Sequence, residues 1–243
     1  ADRTARPPKA TCPGIPDAPG PGDSDLLECD QATMLDPDFG TYPCVTSSNP
    51  TAGGALTGSG IAPTRIDMTI VVVKAYTSRV GYGPFPTELD NELGERIRER
   101  GREYGTVTGR ARRVGWFDGP VARYSTRLNG ATSVALMKID VLDELDILRL
   151  CTGYSFRGEV HDHPMANISH LKHCEPIYEQ MPGWKTDISG CKTWDELPRE
   201  CRDYIERVGE ICGAPVDLIG VGPHRDQLVT RRPIPFQRAA VAG

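Results

Sequence analysis

Apolar residues along the chain fall into short, β-branched runs separated by polar or amphipathic stretches. Residues 66–73 read IDMTIVVV, nearly continuous and β-branched, which predicts a strand buried on both faces. Ser133 to Ile139 predicts a second strand, Asp146 to Cys151 the start of a third, and Val216 to Val221 a fourth. Between them the period changes. Asp90 to Arg100, DNELGERIRER, carries opposite charges at helical spacing and stops at Gly101, so it predicts a surface helix with a glycine terminator. From Trp194 to Gly213, the residues Leu197, Tyr204, Ile205, Val208 and Ile211 share mainly one helical face, and Gly213 supplies the stop. Buried strands alternating with amphipathic helices predict a layered α/β fold, a largely parallel sheet flanked by helices.

Residues 1–24 differ in kind. ARPPKATCPGIPDAPGPGDS has almost no large apolar residue, cannot bury enough surface to order itself, and is expected to be disordered, leaving residues 25–243 as the folded part. With 243 residues, 38% hydrophobic and 25% charged, the chain can bury a core, as one large domain or two small ones. A net charge of -5 argues against nonspecific affinity for nucleic acid or an anionic membrane, so anionic substrates would need a local cationic pocket. No apolar run approaches the ~18 residues of a membrane span and no basic-then-apolar signal opens the chain, so a cytoplasmic location is expected. None of the eight cysteines is spaced as CxxC, which favours reduced thiols, with Cys151 and Cys212 as small core residues.

The chemistry lies in the polar stretches. GTYPCVTSSN, TAGG and KAYTSRVGYGPFPTEL, all between Asp36 and Leu89, are rich in glycine and small hydroxyl residues. Such loops bring backbone N–H groups close to a phosphate, which suggests a nucleotide-binding surface. Thr106 to Arg113, TVTGRARR, places three arginines in four positions, able to hold a carboxylate or phosphate bidentately, although a run of arginines alone also reads as a solvated basic turn. His161, His163, His170, His173 and Cys174 have the chemistry of zinc ligands, but their spacing, HxH-x6-HxxHC, matches no standard structural site and a wet surface loop is the expectation. A metal-binding module built on them is the outlying alternative.

GTYPCVTSSN, TAGG and KAYTSRVGYGPFPTEL, followed in order by EYGTVTGRARRVGWFD, MKIDVLD and EPIYEQMPGW, resemble the adenylosuccinate synthetase family. The resemblance runs from about Leu26 to about Phe236 and corresponds to the C-terminal half of a family member. It implies a P-loop-NTPase-like fold, incomplete because the N-terminal part is missing. It also implies an activity: GTP phosphorylates O6 of IMP, then the amine of L-aspartate displaces that phosphate at C6, giving adenylosuccinate, GDP and phosphate. Mg²⁺ is implied as cofactor and a homodimer as the state of the intact family member. Neither a catalytic residue nor a metal ligand is expected within this chain.

By the same resemblance Gln31, in ECDQATMLD, meets the IMP base, Thr46 its 5′-phosphate, and Arg110 also reaches IMP. Aspartate falls to Thr106, Val107, Thr108, Gly109, Arg110, Ala111 and Arg112. GTP falls to Arg112, to Lys138, Ile139 and Asp140 in MKIDVLD, and to Gly220, Val221 and Gly222 in DLIGVGPHR. Asp140 can accept from guanine N1–H and its exocyclic amine, donors adenine does not present there, while the Lys138 stem lies against the ring. Three departures stand out: Cys29-Asp30 where the family has Gly-Ala, Met137 where it usually has Thr, and Gly220 where it usually has Ser. The chain also contains no GK dipeptide, hence no phosphate loop of the GxxxxGK[ST] kind, so the expectation is that it does not turn over alone. A noncatalytic nucleotide-binding remnant is the alternative of another class.

Overall fold

The computed structural model describes residues 25–106 and 109–234. The proline-rich segment at residues 1–24, and Val107 and Thr108 of the arginine-rich loop, lie outside the described residues. In chain order the elements begin with α1 (Ala52–Ser59), β1 (Ile70–Lys74), β2 (Thr77–Arg79), α2 (Glu92–Arg100), β3 (Arg113–Gly115), β4 (Phe117–Asp118), α3 (Gly119–Leu128) and β5 (Ser133–Met137). They continue with β6 (Ile147–Phe156), β7 (Glu159–His161), α4 (Ile168–Lys172), β8 (Glu175–Pro182), α5 (Arg199–Cys212), β9 (Val216–Gly220) and β10 (Leu228–Thr230).

The main sheet has the order β1-β5-β9-β10. Its first three strands run parallel, with Val72 opposite Ala135 and Leu136 opposite Ile219, and β10 closes it antiparallel. Central β5, SVALM, is buried along four of its five residues, as expected of a strand with neighbours on both sides. Helix α5 packs on β5 and β9. Cys201, Tyr204, Ile205, Val208, Ile211 and Cys212 form its buried stripe, at the three- and four-residue spacing of one helical face. Each large apolar side chain fully buried there is worth ~1.5–3 kcal/mol. The Tyr204 hydroxyl, inside the core, donates to the Ala75 carbonyl at 2.6 Å and so fastens the helix to the chain just after β1. Gly213 terminates α5 at φ 71.

A second sheet is built around β6. Strand β4 pairs with it in parallel, while β7 and β8 pair antiparallel, β8 over most of its length from Ile147 opposite Pro182 to Ser155 opposite Glu175. The parallel arrangement thus describes the main sheet, and the second layer is mainly antiparallel.

Two expectations change. Strand β1 spans Ile70–Lys74, not residues 66–73, and it is not buried on both faces: Val72 is 68% exposed. Among the described residues β1 pairs only with β5, so it lies at the end of the sheet's order, and the outward member of its alternating side chains meets water. Gly101 ends α2 as expected, in the right-handed conformation. The histidine-rich stretch is more than a wet loop. It starts at the last residue of β7 and contains α4, and Leu171 and Cys174 are buried against Cys151 and Tyr154. Cys151 and Cys212 are core residues, as expected.

Candidate functional site

Strands β1, β5 and β9 end toward the same edge of the sheet, because they are parallel, and ligands of open α/β sheets bind outside that edge. Lys74 ends β1, Lys138 to Asp140 follow β5, and Gly220 to Gly222 finish β9. The guanine-recognition candidates, far apart in sequence, are thereby gathered by topology alone. Lys138 takes the turn at φ 60, and residues 139–142 form a 3-10 turn that presents Asp140.

At this edge sits Glu103, fully buried. Its Oε1 accepts from Lys74 Nζ at 2.8 Å, from the Tyr76 hydroxyl and from Lys138 Nζ at 3.4 Å, and its Oε2 accepts from Arg112 at 2.9 Å. Burial by itself would raise this carboxyl, yet the hydrogen bonds from Lys74, Tyr76 and Arg112 hold it down at about 2. One carboxylate therefore joins the end of β1, the arginine-rich loop and the MKIDVLD segment. Lys74, in turn, is lowered by its own burial.

The arginine-rich loop is a hairpin grown from that residue. The Arg112 N–H donates to the Glu103 carbonyl at 2.8 Å, Tyr104 bridges to Ala111, and the Gly105 N–H donates to the Arg110 carbonyl at 2.8 Å. Thr106, Gly109, Arg110 and Ala111 are exposed at its tip, whereas Arg112 is drawn inward onto Glu103. The buried Nε of Arg112 has no hydrogen-bond partner. The third arginine of the run serves the fold: Arg113 forks onto Glu88 and donates to the Gly83 carbonyl at 2.9 Å.

Asp140 lines a cavity of about 440 Å³ together with Arg100, Asp143, Lys185 and Ser189, and burial raises its pKa. Beneath it Asp143 accepts from Trp184 Nε1 at 2.7 Å and from the Ile188 N–H at 3.3 Å. The carboxyl of Asp143 is pushed up to about 6 by burial, against those hydrogen bonds. This contact brings MKIDVLD and EPIYEQMPGW together and closes the cavity wall. Ile139 and Val221 are fully buried core side chains, which leaves only their backbone to face a ligand, and the Val221 N–H already donates to the Gln227 carbonyl at 3.0 Å.

The IMP candidates occupy another loop. Thr46 is half-buried and its N–H donates to the Leu35 carbonyl at 2.7 Å. Arg79 fixes this loop to β2 by donating to Thr41 Oγ1 at 3.0 Å and the Cys44 carbonyl at 3.1 Å, and Arg79 stands opposite Arg113 in the β2-β3 pair. The Thr46 loop is thus one strand pair removed from Arg110 and Arg112. Gln31 is exposed at φ 76, with its own N–H donating to Asp30 Oδ1 at 2.8 Å. Asp30 spends one carboxylate oxygen holding that turn.

Glu103, Lys74 and Tyr76 all lie inside the motifs EYGTVTGRARR and KAYTSR, but nothing in those motifs marks them as converging. Among the described residues no group of three His, Cys, Asp or Glu side chains is gathered as for a metal ion. No helix among them is long and apolar enough to cross a membrane.

The family model for adenylosuccinate synthetase matches residues 15–229. Adenylosuccinate synthetase of Alkaliphilus metalliredigens is 54% identical over 206 residues, 85% of this chain and 48% of that protein. Its counterpart in Thermomicrobium roseum is 54% identical over 217 residues, 89% of this chain and 50% of that protein. The solved structure of fully ligated adenylosuccinate synthetase from Plasmodium falciparum matches with a TM-score of 0.81 at 41% identity, over 84% of this chain and 49% of that chain. The chain spans about half the length of these relatives, shares their parallel-rich, P-loop-like α/β fold, and belongs to the adenylosuccinate synthetase family.

Proposed function

We propose that the protein serves the GTP-dependent ligation of IMP and L-aspartate to adenylosuccinate, a step of AMP biosynthesis in the cytoplasm, acting as a homodimer when intact. The observation that carries this reading is the Glu103 junction, where Arg112 of the aspartate loop and Lys138 of the guanine element share one buried carboxylate. Charge that is fixed in advance needs no reorganisation when anionic substrates arrive. Thr106 to Arg112 would hold the aspartate carboxylates, with Arg110 also reaching IMP and Arg112 reaching GTP. Gln31 and Thr46 would take the IMP base and phosphate. Asp140 would read guanine, with Lys138 along the ring and the backbone of Ile139, Gly220, Val221 and Gly222 around it.

Mg²⁺ finds no gathered donor set among the described residues. With no GK dipeptide in the 243 residues, the phosphate-handling chemistry falls to residues outside them. On this reading the chain alone binds guanine nucleotide without turning it over. The test is to titrate the purified chain with GDP and, separately, to supply it with IMP, GTP, Mg²⁺ and L-aspartate. Saturable GDP binding with no adenylosuccinate is the expected pair of results. A folded chain that ignores GDP overturns the reading of the site, and turnover that follows chain concentration overturns the division of labour.

A further inference from the structure

The side chain of Gln227 joins the turn after β9 to Ser189, which stands beside Asp140 in one cavity lining. Its Nε2 donates to the Ser189 carbonyl at 3.0 Å, and its Oε1 accepts from the His224 N–H at 3.0 Å. The backbone repeats the tie: the Gln227 N–H donates to the His224 carbonyl, and the Gln227 carbonyl accepts from the Val221 N–H, each at 3.0 Å. Ser189 lines the cavity that contains Asp140. The turn running from Gly220 to His224 is therefore clamped to the Ser189 wall of that cavity by one amide, which uses its donor on Ser189 and its acceptor on His224.

The clamp also explains a bare position. A Cβ placed on Gly222 would lie 2.4 Å from both Cδ and Oε1 of Gln227, so the amide rests directly on the glycine backbone. A carboxylate at position 227 keeps the acceptor for His224 but turns an acceptor toward the Ser189 carbonyl, and a shorter amide cannot span both partners. A second tie, Lys192 Nζ to the Asp226 carbonyl at 3.1 Å, holds the same turn from outside the cavity. The turn is thus kept near its place without Gln227, while its distance from the Ser189 wall is left to the amide.

We infer that Gln227 is a positioning residue of the nucleotide site, setting the separation between the Gly220–Gly222 turn and the Ser189 wall so that Asp140 meets both guanine donors at once. This rests on the nucleotide reading proposed above. Hydrogen bonds weaken steeply once bent, so a wall that shifts costs base discrimination before it costs the fold.

The experiment measures GDP and IDP dissociation constants, and melting temperature, for the chain and for Gln227→Glu, Gln227→Ala, Gly222→Ala and the Gly222→Ala/Gln227→Ala pair. IDP lacks the exocyclic amine, so the GDP-over-IDP preference reports alignment on Asp140. Gln227→Glu and Gln227→Ala are expected to lower GDP affinity about tenfold, the scale of one lost hydrogen bond, and to shrink that preference. Gly222→Ala should do the same in the parent and cost less than about twofold when added to Gln227→Ala, because the atoms it strikes are gone. An unchanged GDP/IDP preference in Gln227→Glu, or additive losses in the pair, overturns the clamp. Should the parent chain bind neither nucleotide, the proposed function fails. The clamp is then decided by melting temperature, which must show the same non-additivity between Gly222→Ala and Gln227→Ala.

Discussion

The Sδ of Met137 lies 2.7 Å from where a Cβ on Gly220 would stand. Positions 137 and 220 are therefore coupled by packing. The thioether at the end of β5 fills the space that a side chain at the end of β9 would need. Gly220→Ser alone should overpack the site and cost about 1 kcal/mol, the low end for overpacking because a methionine can swing aside. Met137→Thr combined with Gly220→Ser should recover most of that loss. Thermal unfolding of both single variants and the pair checks it, and additive losses would show that the two positions are independent.

Glu103 is the residue whose loss should reach furthest. Glu103→Gln strands Lys74, Arg112 and Lys138 around a neutral amide. Breaking a buried ion pair from one side costs ~3–5 kcal/mol, and the lower figure applies because all three cations are partly exposed. The pH dependence follows from a folded pKa of about 2 against an ordinary 4.5. Because the folded value is depressed, the contribution is complete above 4.5 and is lost as pH falls toward about 2. Melting curves across that range should slope for the parent and flatten for Glu103→Gln.

Arg110 and Arg112 should both serve aspartate binding. Each Ala substitution in the whole protein removes charge-assisted hydrogen bonds worth ~1.5–3 kcal/mol, about one to two decades of aspartate affinity. Arg112 is tied to buried Glu103, so Arg112→Ala should also lower the melting temperature appreciably. Aspartate binding that survives both substitutions would make the hairpin tip a solvated turn.

Asp140 tests base recognition by polarity. Asp140→Asn replaces one acceptor with a donor, so guanine's donors meet a mismatch costing ~1–3 kcal/mol, while xanthine offers a carbonyl in place of the amine. Steady-state constants of the whole protein for GTP and XTP should shift toward XTP. An unchanged ratio would leave Asp140 as a strand-end residue.

What the sequence made legible was what is periodic. Strands β5 and β9 are short apolar runs, and helices α2 and α5 space their charges and their apolar residues, respectively, at the helical repeat, so a local window identifies them. Strand β8, EPIYEQMP, begins and ends near proline and mixes charge with apolar residues, and only its long pairing with β6 makes it a strand. The motif stretches could be located by resemblance, but Glu103 could not be weighted. Its role arises from Lys74, Arg112 and Lys138 converging from three elements, a relation without a sequence period. The clamp by Gln227 is hidden for the same reason.

Strand β1 carries a consequence of its own. Its amides alternate between β5 and an edge that no other described strand covers, and Val72 lies on the wetter face of the same strand. Amide hydrogens turned toward β5 are held by the ladder, whereas those turned outward trade with solvent at the pace of an open peptide. The strand is thus a natural ruler for assembly. Slowed deuterium uptake along its outward amides would register the arrival of any segment that covers the edge, residue by residue, without a label being added to the protein.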